Sequence, residues 1–302
     1  MAESTRDIAA ERAEIDRAVA GKTVPTLFRD VVERYPDAEA LKWGSPDGWQ
    51  ALTWARYREH VRDATLGLLQ LDFRPGEFGL IMARNRPEHL IADLALTHAA
   101  GAAISVYNTL APEQIAYVAN HSEATVAFVE DQGFLAKFLA IRDQVPNLRR
   151  VVLFEGDPGD TGGWVITWQE LLDAGRRAAA NDPGAFDASW RRVKPDDILA
   201  LIYTSGTTGA PKGVIYTHYN ILWTCESSRM LADYQPGERW VSYLPLAHIA
   251  ERFTTHWGGI YNVSVNHLVP ELTQLLPALL DVRPNGFVGV PRVWEKFQAG
   301  IQ

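Results

Sequence analysis

The sequence predicts an α/β protein built from layered parallel-sheet subdomains, and three observations carry that prediction. From Gly76 onward, short apolar runs alternate with segments of helical spacing, the pattern of a parallel sheet with crossover helices. The run Ile198 to Tyr203 is almost continuously apolar, as expected of a strand covered on both faces. Finally, 302 residues with 47% hydrophobic content are ample for a buried core.

The elements follow in order. Ile8 to Val19 carries apolar positions at helical spacing, and Gly21 can end that helix. Its polar face mixes acidic and basic residues, which favours packing against protein over lying on a membrane. Strands are predicted over 78–83, 102–107, 125–129 and 150–154, with helices over 87–100, 112–121 and 134–145 between them. A loop occupies 156–163, and a second polar stretch, 181–197, reads as a separator of two subdomains. The division expected is 1–22 as an N-terminal helix, 23–195 as a first α/β subdomain, and 196–302 as the start of a second. After the strand at 198–203 the alternation resumes with a helix 221–232, a strand 240–244, a helix 249–260 and a strand 263–269. A helix 272–282, a strand 287–290 and a last helix from Pro291 complete it.

The chemistry concentrates at the end of the 198–203 strand. There Thr204, Ser205, Gly206, Thr207, Thr208 and Gly209 lead through Pro211 to Lys212 and Gly213. The glycines permit close approach of backbone N–H groups to an anion, the hydroxyls add donors, and Lys212 adds a compact positive charge. Such a loop is suited to phosphate. A Walker A loop is excluded at two positions: Pro211 stands where its second glycine belongs, and Gly213 where its magnesium-binding hydroxyl belongs. A standard P-loop phosphotransferase is therefore disfavoured.

Charge and cysteine content narrow the class further. A net charge of −8 lacks the basic footprint of a nucleic-acid binder. Cys225 is the only cysteine, so an intrachain disulfide and a multi-cysteine metal site are excluded, and no metal site is expected within the chain. The longest apolar region, Leu90 to Val106, is interrupted by Asp93 and His98 and is short for a membrane span. A cytoplasmic location is expected, with peripheral membrane association left open for an apolar substrate.

At the Tyr203 to Gly213 loop the sequence resembles the AMP-forming acyl-adenylate superfamily, which includes acyl-CoA synthetases. Thr217-His218-Tyr219-Asn220 follows where relatives carry a similar Thr-His-x-Asn. Two further runs, Leu244-Pro245-Leu246-Ala247-His248-Ile249-Ala250-Glu251-Arg252 and Val290-Pro291-Arg292-Val293-Trp294-Glu295-Lys296, are similar to segments of long-chain fatty acyl-CoA synthetases. Asn85-Arg86-Pro87-Glu88 resembles the family's first subdomain.

The resemblance implies the large N-terminal domain of these enzymes without the small C-terminal domain. It implies ATP-dependent activation of a long-chain fatty acid to acyl-AMP, then transfer to coenzyme A with release of AMP, and Mg²⁺ alongside ATP. Thr204 to Gly209 with Lys212 would hold phosphate, His248 would lie between adenylate and acyl pockets, and Lys212 and His248 are the expected catalytic residues. Trp257 is a candidate tunnel wall, and the small residues beside it would leave room for a chain. For Glu251 and Arg252, an intramolecular ion pair and substrate contact both remain open, and Arg292 has no assigned role.

A Tyr-Gly-x-Thr-Glu segment, a ribose-binding aspartate and the C-terminal arginine and lysine, which the reaction requires in relatives, have no match here. The chain thus reads as a truncated synthetase, inactive or nearly so alone. The alternative is a noncatalytic remnant that binds nucleotide or a protein partner.

Overall fold

A computed structural model describes residues 7–45, 47–204 and 210–301. Its strands are β1 (Glu39–Ser45), β2 (Gly48–Thr53), β3 (Phe78–Met82), β4 (Ala102–Ser105), β5 (Val126–Val129) and β6 (Arg150–Leu153). β7 (Val165–Thr167), β8 (Ile198–Thr204), β9 (Lys212–Thr217), β10 (Arg239–Ser242) and β11 (Val265–Leu268) complete them. They form a seven-stranded sheet in the order β7-β6-β5-β3-β4-β8-β9 and a four-stranded sheet in the order β10-β11-β1-β2. Each sheet is parallel except for one antiparallel edge strand, β9 or β2. The predicted α/β class of layered, mainly parallel sheets is therefore the observed one.

Alternation along the strands shows why both faces of the larger sheet must be covered. Ile81, Ala103 and Phe128 belong to one buried cluster, whereas their neighbours Leu80, Met82, Ile104 and Ala127 belong to another. The helix Pro87–His98 packs against β3 and β4 of one sheet and β1 of the other. Covered from both sides, it buries every residue except Glu88. Pro87 at its first turn supplies a helical φ and lacks the N–H that would be orphaned there.

The predicted boundary between 195 and 196 does not follow the sheets. β8 and β9 join the sheet of β3 to β7, while β1 and β2 join the sheet of β10 and β11. The polar stretch 181–197, read as a separator, contains the helix Ala185–Trp190, whose Phe186 and Trp190 are buried. Polarity on its exposed side concealed an element with an inward face.

Three element predictions need correction. The segment 287–290 is not a strand, although it lies beside the end of β10, where the Tyr243 hydroxyl donates to the Val288 carbonyl at 2.9 Å. The helix expected over 249–260 is α-helical only at Ile249–Glu251 and Gly258–Tyr261, with a π-helix, Arg252–Trp257, between. Downstream of the loop, Lys212 begins β9 rather than remaining in irregular chain. The N-terminal helix is observed at Ile8–Val19, where Asp16 accepts hydrogen bonds from Tyr219 and Trp223 and docks it on the helix His218–Arg229.

Candidate active site

β8 and β9 are antiparallel partners, and the segment read as a phosphate loop joins them in sequence. Thr204 and Lys212 are register partners across the antiparallel pair, so the hydroxyl and the ammonium flank the loop on opposite limbs. Both are exposed. Ser205, Gly206, Thr207, Thr208 and Gly209 lie outside the described residues.

Two residues that the sequence did not single out brace this hairpin. Tyr117 donates from its hydroxyl to the Pro211 carbonyl at 3.0 Å, and His121 meets the Tyr203 hydroxyl at 2.8 Å. Both lie on the helix Pro112–His121, one turn apart, and their rings stack at 5.4 Å. A Cβ on Gly213 would stand 3.3 Å from the Tyr203 ring, so a side chain there would crowd the brace. Their spacing of four on a helix was the available signal, but nothing local connects a helix at 112 with a loop at 205.

Thr217 and Asn220, read from the sequence as family motif, build a helix start. The Thr217 hydroxyl accepts from the Asn220 N–H, and the Asn220 side-chain oxygen accepts from the Thr217 N–H, a reciprocal capping box. His218 between them is buried and its Nδ1 accepts from the Val24 N–H. Burial holds its pKa down to about 3, as a ring used as an acceptor requires.

His248 stands on the other sheet, beyond the carboxyl end of β10. It is half-buried, and its Nδ1 accepts from the Ala250 N–H at 3.1 Å, capping the short helix that follows. With Nδ1 occupied as acceptor, the neutral ring carries its proton on Nε2. Among the described residues, no hydrogen bond joins His248 to Thr204 or Lys212.

The carboxyl edges of the two sheets are nevertheless tied together. Asn85, just past β3, donates from its side-chain nitrogen to both the Ser242 hydroxyl and the Leu244 carbonyl at 2.9 Å. Arg84 beside it pairs with Glu130 at 2.8 Å and reaches Glu271, past β11, at 2.9 Å. Along this shared edge runs a groove of about 910 Å³ lined by Trp43, Trp49, Arg84, Asn85 and Arg86 among others. Carboxyl edges of parallel strands are where α/β sheets ordinarily receive ligands.

Glu251 and Arg252 do not pair with each other. Glu251 is 2% exposed, accepting from the Leu244 N–H at 3.0 Å and the Thr255 hydroxyl at 2.6 Å. Burial raises its pKa, and these hydrogen bonds oppose the rise. Arg252 instead pairs with Asp93 and is equally enclosed.

Trp257 is 1% exposed within the main core, with the Arg252 guanidinium 4.8 Å above its ring, so it has no free face to offer a tunnel. The small residues beside it are also filled from within. A Cβ on Gly259 would meet the Asn266 side chain at 2.3 Å, and one on Gly258 the Phe253 carbonyl at 2.7 Å. Phe253, Thr254 and Gly258 border a pocket of about 30 Å³, room for a water and not for an acyl chain. Arg292 is exposed at the first turn of the helix Pro291–Ile301.

Among the described residues there is no cluster of three ligating side chains arranged for a metal, and Thr204 and Lys212 contribute no carboxylate. The described part of the loop therefore does not by itself fit Mg²⁺. Among the described residues, no helix is long and apolar enough to cross a membrane.

The sequence that carries this hairpin and this capped histidine matches a family model over almost the whole chain. Residues 28–301 match the AMP-binding enzyme model, and the chain belongs to that family of adenylate-forming ligases. Among individual proteins it is 35% identical over 285 residues to the long-chain-fatty-acid–CoA ligase ACSBG2 of Xenopus laevis, covering 91% of this chain and 38% of the relative. It is 33% identical over 287 residues to human ACSBG1, another long-chain-fatty-acid–CoA ligase, covering 93% of this chain and 39% of that one. The chain thus spans well under half the length of these curated relatives.

Solved structures show the same fold. The N-terminal domain of FACL13 from Mycobacterium tuberculosis aligns with a TM-score of 0.73 at 20% identity, over 90% of this chain and 64% of that one. The anthranilate CoA ligase AuaEII in complex with anthranoyl-AMP aligns at 0.74 and 18%, over 88% of this chain and 49% of that one.

Proposed function

We propose that this chain supplies the phosphate-binding and acyl-facing portion of an ATP-dependent long-chain fatty acid–CoA ligase. The observation that carries the reading is the likeness to relatives named long-chain-fatty-acid–CoA ligases across 91% and 93% of the chain. In the proposed reaction a fatty carboxylate oxygen attacks the α-phosphorus of ATP and pyrophosphate leaves with the bonding pair. The thiol of coenzyme A then attacks the acyl carbon and displaces AMP. A free carboxylate is a poor electrophile because its leaving group would be oxide; the mixed anhydride replaces that group with AMP.

The residues of this chain act in the first step by alignment and charge stabilisation. Thr204, the loop Ser205 to Gly209 and Lys212 hold the departing phosphates, with the ammonium opposing charge that develops on pyrophosphate. His248, fixed as an Nε2–H donor, presents that proton toward the acyl carboxylate or the α-phosphate oxygen. Mg²⁺ would accompany the nucleotide and lower the charge on its phosphates. Trp257, enclosed in the core, supports the helix behind His248.

The test is fatty-acid-dependent ATP–pyrophosphate exchange. On the 302-residue chain alone, exchange is expected to be absent, because the Tyr-Gly-x-Thr-Glu segment has no match in its sequence. If the coding frame continues past codon 302 into such a segment, the longer product is expected to exchange with palmitate and not with acetate. Exchange with acetate alone would overturn the substrate class. A stop at that codon, with nucleotide bound and never exchanged, would establish the noncatalytic remnant.

A further inference from the structure

Asp93 lies in the helix that separates the two sheets and is 1% exposed. Its carboxylate takes a hydrogen bond from Arg252 and stands 3.2 Å from Nε2 of His256. The same guanidinium donates to the Ala103 carbonyl at 3.3 Å. Ala103 is the residue of β4 in register with Ala200 of β8, the strand that leads into the phosphate loop. On its other side, the Arg252 N–H donates to the His248 carbonyl at 3.1 Å. One arginine therefore joins the His248 turn to the sheet that carries the loop, and Asp93 orients that arginine.

The Arg252 and His256 side chains both come from the π-helix. Arg252 and His256 are its first and fifth residues, and both face Asp93. A π turn disturbs the i−4 ladder and needs compensation. The Thr254 hydroxyl supplies it by donating to the Ala250 carbonyl at 2.7 Å, and Thr255 by donating to the Glu251 carbonyl at 2.9 Å. A buried ion pair adds little stability over an apolar pair of like volume, but the two terminal nitrogens of a planar guanidinium reach Asp93 and the Ala103 carbonyl together only from a restricted orientation.

We propose that Asp93 is a positioning residue which, through Arg252, sets where His248 stands relative to the phosphate-loop strand. The proposal rests on the reading of His248 and the loop as one site.

Nuclear magnetic resonance of ring-labelled histidines tests it, with the His248 signal assigned by its loss in His248→Gln. Wild type is expected to show His248 as a single Nε2–H tautomer. Asp93→Asn, and the apolar double replacement Asp93→Leu with Arg252→Met, are expected to shift that signal or lose the single tautomer while unfolding remains cooperative. An unchanged His248 signal in a folded double variant overturns the proposal. So does failure of the double variant to fold, because that would make the pair's role stability and not orientation. If Asp93→Asn alone does not fold, the double variant decides. Titration of wild type with MgATP separates the two readings: failure to bind sinks the phosphate site, while the histidine signal still judges the positioning role.

Discussion

Arg252 and Asp93 meet inside the molecule, 159 residues apart in sequence and each no more than 2% exposed by side chain. Burial by itself would raise the Asp93 pKa, and the Arg252 charge, with His256, more than reverses this and holds it at about 2. Removing one partner is the costly change. Asp93→Ala is expected to destabilise the chain by about 3–5 kcal/mol, whereas the Asp93→Leu, Arg252→Met pair should stay near wild type or exceed it. Urea denaturation of the two proteins checks the contrast; equal losses would contradict it.

Acidification should weaken the fold through three buried imidazoles. Burial depresses His89 to about 4 and His98 and His218 to about 3, against about 6.5 in an unfolded chain. Between those values the unfolded state binds more protons, so stability rises with pH. The contribution is complete above about pH 6.5 and is lost as pH falls toward 4 and then 3, at up to about 1.4 kcal/mol per ring per pH unit. Urea midpoints measured from pH 7.5 down to 5 should fall steadily, and a flat profile would refute neutral buried rings.

Lys212 is exposed, and its role is predicted to be electrostatic only. Lys212→Ala should leave stability within about 0.5 kcal/mol while lowering MgATP affinity at least about tenfold. Calorimetric binding alongside a melting curve separates the effects. Unchanged affinity would remove Lys212 from the phosphate site.

The brace from Tyr117 to Pro211 should matter to the same binding. Tyr117→Phe deletes one hydrogen bond worth about 1 kcal/mol, so MgATP affinity is expected to fall about fivefold if the bond orders the loop. Loss of stability with no loss of affinity would assign the tyrosine to packing alone.

His248 has a structural task that can be separated from a chemical one. His248→Ala removes the acceptor for the Ala250 N–H and should cost about 1 kcal/mol, whereas His248→Asn can retain the cap. In a longer product that shows exchange, both variants should lose it. Full exchange in His248→Asn would mean the imidazole serves only as a cap.

Local pattern carried a large part of this molecule. Apolar periodicity located β3, the helix Pro112–His121 and β8, because each buries one face or both and must show it in sequence. The edge strands β2 and β9 were illegible for the opposite reason: β9 leaves Val214 and Ile215 exposed, and β2 has no fully buried residue, so neither displays a core-facing alternation. The hydroxyls and glycines of the loop suggest phosphate chemistry from sequence alone because backbone freedom and donor groups are local properties.

What the sequence determined by itself was the family, the class of fold and the identity of the loop and His248 as candidates. Tertiary structure alone decided that β8 shares a sheet with β3, that Glu251 and Arg252 take separate partners, and that the partner of Arg252 is Asp93. Those outcomes depend on which buried polar groups meet across a layer. A charge surrounded by apolar residues announces that a partner must exist, and only the packing of the two sheets determines which one it is.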